Sequence, residues 1–235
     1  MKVENPTFFI GYDSKEDIAY RVCKQSLIKN SSINIKVKSL KLYELISKKI
    51  YKRNIDPLAS TEFTYSRFLV PALMNYKGWA VFCDCDFLFL YDVAKLFENL
   101  DPSKAIYCVK HDYTPKEKHK MDGQQQTIYP RKNWSSFIVF NCDHPSNKKL
   151  TVDIVNSESG SFLHQFKWLK DEEIGTLDER WNWLEGWTSQ HNKNKPYAVH
   201  YTRGGPWFDE WQDVEYAKEW IQERDTYIKR KFEFN

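Results

Sequence analysis

The order of hydrophobic patterns in the first 40 residues constrains the fold more than any other feature of the chain. An apolar run at residues 7–10, TFFI, is typical of a buried strand. Apolar side chains then recur at helical spacing over residues 17–32, with Asp13 or Ser14 placed to cap the helix. The segment INIKVKSL at residues 33–40 alternates as a strand does. This order predicts parallel strands that are joined by a crossover helix.

The rest of the sequence continues the alternation of strands and helices without a linker. We predict a helix over residues 61–76 and a closing helix over residues 213–231. Further strands are predicted within WAVFCDCDFLFL, AIYCVKH, WSSFIVFNC and YAVHYTRGGPW. The pattern predicts one α/β domain over residues 1–235, with a single Rossmann-like, mostly parallel sheet flanked by helices. Residues 1–100 form its nucleotide-binding half and residues 101–235 its acceptor-side half.

Charge and cysteine content exclude several classes of protein. Lys and Arg number 35 against 32 Asp and Glu, and a net charge of +3 is too small to bind nucleic acid by bulk electrostatics. Five Cys without Cys-x-x-Cys spacing exclude zinc ribbons and thioredoxin motifs. The chain shows no signal peptide and no apolar run of about 18 residues, so we expect a soluble, cytoplasmic protein with reduced thiols. Peripheral membrane contact and the oligomeric state stay open.

Two carboxylates interrupt the most apolar strand. Asp84 and Asp86 follow WAVFC, where an unpaired buried charge would be costly. In an extended segment, side chains two residues apart share one face, so both acids can reach a single cation. Hard divalent ions bind such carboxylates together with substrate phosphate oxygens. The pair predicts a metal site that holds a diphosphate, although a strand-end turn with a capping Asp gives the same spacing.

The segment VHYTRGGPW near the end of the chain offers groups that complement the two acids. His200 follows strand-like residues and could complete a mixed oxygen and nitrogen shell, which suits Mn²⁺. Gly204 and Gly205 allow the backbone to approach a phosphate, and Arg203 is suited to bidentate phosphate contact. An ordinary turn followed by a structural His remains the alternative.

Other candidates lie where the predicted sheet would face a ligand. Arg67 in TYSR could neutralise substrate charge, and the GYD turn offers groups suited to a base and a ribose. Nine Trp residues are a high number, and aromatic faces stack on sugars as well as filling cores. The candidates for sugar and acceptor contacts are Trp134, Ser135, Ser136, Gln165, Asp171, Trp183 and Trp187.

Together these motifs resemble glycosyltransferase family 8, the retaining sugar transferases with the GT-A fold. The matching order along the chain is GYD, TYSR, FCDCD, NWSSFIVFN, a Gln-bearing helix, WNW and HYTRGGPW. The resemblance covers nearly the whole chain, and STEFTYSRFLVP, HQFKWL and HYTRGGPW also resemble a bacterial subgroup of the family.

The resemblance implies transfer of a hexose from a nucleoside diphosphate sugar, UDP-linked, to a sugar, glycan or glycolipid acceptor. Asp84, Asp86 and His200 would bind Mn²⁺, with Mg²⁺ as the alternative ion. Arg67, Asp86 and Gln165 would serve catalysis, with Gln165 below the anomeric carbon. As an amide, Gln165 is a poor nucleophile, which favours attack from the front face. The donor-binding residues would be Gly11, Tyr12, Asp13, Arg67, Asp84, Cys85, Arg203, Gly204 and Gly205.

Three positions depart from the family pattern. Gly205 stands where the family has Lys before Pro-Trp, so the phosphate contact falls to Arg203. The segment around Gln165 reads His-Gln-Phe in place of Asp-Gln-Asp, and Ser135-Ser136-Phe137 replaces Asn-Ala-Gly.

Two other functions remain open from the sequence. A metal-dependent phosphohydrolase also begins with a hydrophobic strand and Asp-x-Asp, but Phe87 and Leu88 follow here in place of a Gly-Thr turn. A carbohydrate-binding protein without enzyme activity would account for the Trp content but would leave the two acids and the Gly-Gly loop without a role.

Overall fold

The structure, a computed structural model, describes residues 3–56, 59–112 and 130–233. Its strands are β1 (Thr7–Tyr12), β2 (Lys36–Lys41), β3 (Trp79–Cys83), β4 (Phe87–Phe89), β5 (Ile106–Cys108), β6 (Phe137–Asn141), β7 (Ile174–Thr176), β8 (Trp183–Leu184) and β9 (Ala198–His200). Its α-helices are α1 (Asp17–Lys29), α2 (Leu42–Ser47), α3 (Val70–Leu73), α4 (Pro145–Lys148), α5 (Val152–Ser157), α6 (Gly160–His164) and α7 (Ala217–Glu233).

Most of the described strands form one six-stranded sheet in the order β2-β1-β3-β6-β5-β7. The pairs β1–β2, β1–β3 and β5–β7 are parallel, whereas β6 runs antiparallel to both of its neighbours. The predicted α/β fold with a mostly parallel central sheet is therefore confirmed. A small second sheet, in the order β4-β9-β8, packs beside it.

The first strand, turn and helix form as the sequence predicts. The residues of β1 from Thr7 to Gly11 are buried, and the strand pairs in parallel with the more exposed β2. Asp13 then caps a 3-10 turn by accepting the Lys15 N–H at 3.0 Å, and α1 begins four residues later. The buried face of α1 packs against β1, β4 and α7.

The run WAVFCDCDFLFL is not one strand. It leaves the large sheet after Cys83 and enters the small sheet at Phe87, which pairs with His200 of β9. Asp84 still follows β6, because its N–H donates to the Ser136 carbonyl at 3.0 Å. The two predicted metal ligands therefore lie where the chain crosses from one sheet to the other.

Two predicted helices have different bounds. Residues 61–76 do not form one continuous helix, because Pro71 has no N–H to donate and sits in the first turn of α3, where proline is tolerated. A separate 3-10 turn at Ser66–Leu69 precedes α3. The closing helix α7 begins at Ala217 rather than at residue 213, because Tyr216 has a left-handed φ of 60°.

The main hydrophobic core contains residues of all the strands of the large sheet except β2's exposed positions, and nine of its Phe side chains are fully buried. A smaller cluster, which includes Leu88, Val199 and Trp220, joins the small sheet to α1 and α7. Within the described ranges, no helix combines the length and apolarity that crossing a membrane requires.

Candidate functional site

The fold brings the three predicted metal ligands together. One ligand atom from each of Asp84, Asp86 and His200 lies within 4.8 Å of the other two. His200 Nε2 is 3.3 Å from Asp86 Oδ2, because the β4–β9 pairing sets Phe87 opposite His200. The Phe87 ring also stacks on the imidazole at 4.4 Å. We call these three residues the metal group.

Hydrogen bonds behind His200 fix the orientation of its ring. The Asn182 amide nitrogen donates to the Asn133 carbonyl at 3.2 Å and to Ser136 Oγ at 2.9 Å. The Asn133 carbonyl can only accept, so the nitrogen of the Asn182 amide must face Asn133. The side-chain oxygen of Asn182 therefore faces His200 Nδ1, which is 2.9 Å away. Nδ1 therefore carries a proton, and Nε2 is the nitrogen that can donate a lone pair to a cation.

Arg67 lies directly behind the metal group. Its guanidinium is 2.8 Å from Asp84 Oδ1 and also donates to the Ser135 carbonyl at 2.9 Å. The rings of Phe63 and Phe82 face the guanidinium carbon at 5.3 and 5.0 Å. Only 6% of the Arg67 side chain is exposed, so it is a fixed positive charge and not a snorkelling surface residue.

A further acidic side chain, Glu16, lies close to the metal group. The Cys85 thiol, which is buried, donates to Glu16 Oε2 at 3.3 Å. Burial, together with the charges of Asp86, Asp13 and Asp84, raises the pKa of Glu16 to about 8. Glu16 is therefore largely protonated near pH 7, and a bound cation would favour its ionisation.

The residues of the metal group fit a divalent ion. Asp86 Oδ1 is buried and has no hydrogen-bond partner among the described residues. Burial would raise the pKa of Asp86, but His200 and Arg67 hold it below its ordinary value, so the carboxylate stays ionised. Two carboxylates and one imidazole nitrogen are ligands that suit Mn²⁺, and they leave room in its shell for phosphate oxygens.

The predicted GYD turn lies at the carboxyl end of β1. Gly11 is needed there for close packing, since a Cβ would lie 2.5 Å from the Phe63 ring. The Tyr12 hydroxyl donates to Asp17 at 3.0 Å. Both oxygens of Asp13 accept backbone N–H groups, from Lys15 and from Glu62. Contacts from these residues to uridine stay a prediction.

Ser135 and Ser136 support the metal group from behind. Ser136 Oγ joins the hydrogen-bond chain to Asn182, and Ser135 Oγ lies 2.8 Å from His164 Nδ1. Trp134 precedes them, and its indole N–H donates to the His111 carbonyl at 2.9 Å. Sugar contacts from these three residues remain predictions.

Gln165 ends α6 next to this network. Its carbonyl accepts from Arg131 at 2.7 Å, and Arg131 also pairs with the exposed carboxylate of Asp171. The preceding His164 packs edge-on against Phe68 at 5.1 Å and connects α6 to Ser135. Burial, followed by the charge of Arg67, lowers the pKa of His164 to about 3, so this ring is neutral.

Arg203 and the two glycines form a compact turn after β9. The Arg203 guanidinium pairs with the buried Glu185 at 2.8 Å. Gly204 has a φ of 133° and donates its N–H to the Tyr201 carbonyl at 2.8 Å. A Cβ on Gly205 would lie 2.1 Å from the Trp207 ring. Phosphate contacts from this turn therefore stay a prediction, and the observed contacts are internal.

Trp183 is buried, and acceptor contacts from it stay a prediction. It is 2% exposed, and its indole N–H donates to Glu215 at 3.3 Å, so its ring packs inside the protein. Its burial follows from its place on β8, the edge strand that pairs with β9.

The sequence interpretation missed several residues of the site. Asn182 carries a recognisable signal, because it is a polar residue between two Trp in RWNWL. Glu16, His164 and Glu185 carry no comparable signal, because long-range packing sets their positions.

Solved structures of glycosyltransferases share this fold. The bifunctional glycosyltransferase WbbM has a TM-score of 0.66 and 15% identity, with 95% of this chain and 50% of that chain covered. GlyE of Streptococcus pneumoniae has a TM-score of 0.61 and 14% identity, with 98% of this chain and 63% of that chain covered. The galactosyltransferase LgtC, in complex with donor and acceptor sugar analogs, has a TM-score of 0.58 and 11% identity, with 94% of this chain and 95% of that chain covered. This chain thus spans half of WbbM and under two thirds of GlyE.

Sequence comparison finds a much nearer relative. No family model matches the chain. Protein CDI of Arabidopsis thaliana is 53% identical over 224 residues, which cover 94% of this chain and 86% of that protein. Identity at this level over nearly the whole length shows common descent, and this chain therefore belongs to the family of Protein CDI.

Proposed function

We propose that this chain is a retaining glycosyltransferase of the family 8 type, which transfers a hexose from a UDP-linked sugar to a glycan or glycolipid acceptor with Mn²⁺. The observation that carries the proposal is the metal group, in which Asp84, Asp86 and His200 converge where the chain passes between two sheets. The fold shared with LgtC, which was solved with donor and acceptor sugar analogs, supports the same reaction class.

Each residue of the site has a role in this proposal. Asp84, Asp86 and His200 would hold the ion, which when bound supplies a Lewis acid for the departing diphosphate. Arg67 adds a fixed, buried positive charge beside the same diphosphate. Asn182 holds the imidazole in the tautomer that leaves Nε2 available.

The proposed transfer exchanges one bond for another at the anomeric carbon. An acceptor hydroxyl oxygen forms a bond to this carbon as the bond to the diphosphate oxygen breaks, and the electron pair leaves with the diphosphate. The hydroxyl proton passes to the departing diphosphate oxygen on the same face. Positive charge develops on the sugar ring, and Gln165 would orient the ring from the opposite face.

The cytoplasm is the proposed location. Cys23, Cys83, Cys85, Cys108 and Cys142 are free thiols in buried positions, which supports a reducing compartment.

Thermal melting with UDP, GDP, ADP and CMP, each with and without Mn²⁺, tests the proposal. A ligand that binds only the native state raises the melting temperature by mass action. We expect a shift with UDP that requires Mn²⁺ and disappears in Asp86→Asn. The matched control is Asp153→Asn on α5, whose side chain is 89% exposed and which should keep the shift.

The remaining outcomes separate the alternatives. If no nucleotide shifts the wild-type protein, the proposal fails. Release of phosphate from phosphomonoesters with Mn²⁺ would then favour a phosphohydrolase, and glycan binding without metal would favour a carbohydrate-binding protein.

A further inference from the structure

A pocket of about 440 Å³ is lined in part by Glu179, which belongs to the same 3-10 turn as Asn182. Its volume lies within the range of small-molecule sites in proteins. Three segments form its walls: the residues that follow β5, those that follow β7, and the turn from Trp187 to His191. Its described lining is Val109, Lys110, His111, Asp112, Thr176, Leu177, Glu179, Trp187 and His191.

Two connections join this pocket to the metal group. Glu179 and Asn182 stand at the two ends of one 3-10 turn, and Asn182 holds His200. His111 lies close enough to Asn182 and His200 to interact with both side chains. Burial first, and then the charges of His200 and His191, lower the pKa of His111 to about 3. A side-chain hydrogen bond with Asn182 opposes this shift.

The polar groups of the pocket are positioned for hydroxyls. His111 is 8% exposed, and its Nε2 has no hydrogen-bond partner within the described ranges. A buried nitrogen of this kind ordinarily has a partner, so a ligand or water is expected to bond it. Glu179 is held in place by His191 Nε2 at 2.8 Å and by the Asn192 amide at 3.1 Å, and its oxygens can still accept from a ligand.

The charges of the pocket disfavour an anionic ligand. Asp112 and Glu179 are carboxylates, whereas the Lys110 ammonium donates to the Ile174 carbonyl at 2.9 Å. Trp187 adds an apolar wall, and a Trp face packs well on the C–H face of a pyranose. One aromatic wall with several hydroxyl-binding groups fits a neutral sugar ring better than a phosphate or a fatty chain.

We propose that this pocket is the acceptor subsite and binds a neutral pyranose sugar between Trp187, Glu179 and His111. The inference rests on the proposed function, because it gives the attacking hydroxyl of the transfer a place to bind. The sugar ring packs on Trp187, and Glu179 accepts from one of its hydroxyls.

Saturation-transfer NMR with six probes tests the subsite: the α- and β-methyl pyranosides of glucose, galactose and mannose. The protein is the full chain with UDP and Mn²⁺ present. We expect at least one probe to bind the wild type. Trp187→Leu and Glu179→Ala should each weaken this binding at least fivefold. Trp187→Phe keeps an aromatic wall and should lose less than Trp187→Leu, and Glu172→Ala changes an exposed acid outside the pocket and is the control.

The UDP-dependent melting shift, measured on the same samples, separates this proposal from the one on which it rests. If UDP shifts the melting temperature and no probe binds, or if binding is equal in the wild type, Trp187→Leu and Glu179→Ala, the acceptor subsite is wrong and the transferase stands. If a probe binds with the expected variant effects but UDP gives no shift, the sugar site stands and the transferase fails. Melting curves also show that each variant is folded.

Discussion

Two charged clusters lie near the carboxyl end of the same short strand, β9, and they differ in how their charges are balanced. At the metal group, Asp84 and Asp86 lie near Arg67, and Asp86 Oδ1 has no hydrogen-bond partner among the described residues. In the turn after β9, the carboxylate of Glu185 pairs with Arg203 at 2.8 Å and accepts the Glu215 N–H at 3.4 Å.

The difference distinguishes a ligand site from a structural ion pair. Glu185 and Arg203 satisfy each other, so their burial needs nothing from outside the chain. At the metal group, one buried oxygen of Asp86 lacks a hydrogen-bond partner among the described residues, and a bound cation would supply one. Both clusters look alike in sequence, because each is a carboxylate set in an apolar segment.

The largest expected effect is on the structural pair. Arg203→Ala should lower the free energy of unfolding by about 3 kcal/mol, because it leaves Glu185 buried without its partner. The value is at the low end for buried pairs, since 26% of the Arg203 side chain is exposed. Urea unfolding at pH 7 measures it. Arg224→Ala, which removes an exposed pair with Asp225, is the control and should cost less than about 1 kcal/mol. Equal losses in both variants would contradict the comparison.

The second effect concerns the metal group. Asp86→Asn should weaken Mn²⁺ binding by about 100-fold, or about 2.7 kcal/mol. The amide keeps the shape of the side chain but removes the negative charge that binds the cation. Titration calorimetry with MnCl₂ measures the affinity. Mn²⁺ binding as tight as in the wild type would show that Asp86 is not a ligand.

The third effect depends on pH and arises behind Arg67. His164 has a folded-state pKa of about 3, below its value of about 6.5 in an unfolded chain. The unfolded state therefore binds the proton first, and the stability that His164 contributes is lost as pH falls from about 6.5 towards 3.

Between pH 7 and pH 5 the wild type should lose about 2 kcal/mol more than His164→Asn, which keeps an acceptor or donor near Ser135. Urea unfolding at both pH values gives the difference. Parallel losses in the two proteins would mean that His164 titrates normally in the folded state.

The smallest effect tests the support of His200. Asn182→Ala should weaken Mn²⁺ binding about tenfold, because the imidazole loses the bond that fixes its tautomer and orientation. Nitrogen chemical shifts of His200 should show a mixture of tautomers in the variant. Asn194→Ala, at an exposed position, serves as the control and should leave both readouts unchanged. A tautomer that is fixed in Asn182→Ala would overturn this role.

Local patterns allowed much of the fold and the metal group to be predicted. The strand, helix and strand at the N-terminus follow from hydrophobic spacing over a few residues, and Asp84, Asp86 and His200 stand out because they interrupt or end apolar strands. A polar residue within an apolar segment can be recognised from the sequence alone as a candidate site residue.

The rest could not be predicted because it depends on distant partners. The prediction for Arg203 came from its neighbours in the sequence, and nothing local indicated its ion pair with Glu185, which comes 18 residues earlier. His111 and Glu179 meet in one pocket only because β5 and β7 lie side by side. The division of residues 61–76 was visible at Pro71, but the pattern of apolar residues around it still favoured a helix.

The crossing between the two sheets gives the site a mechanical property. Asp84 is tied to the large sheet through Ser136 and Arg67, whereas Asp86 and His200 belong to the junction with the small sheet. An ion held by all three residues would crosslink the two sheets at this junction. Binding and release of the ion and the donor would then change how easily the small sheet opens locally. Amide hydrogen exchange at Phe87 and Leu88 would therefore report on occupancy of the site without any assay of turnover.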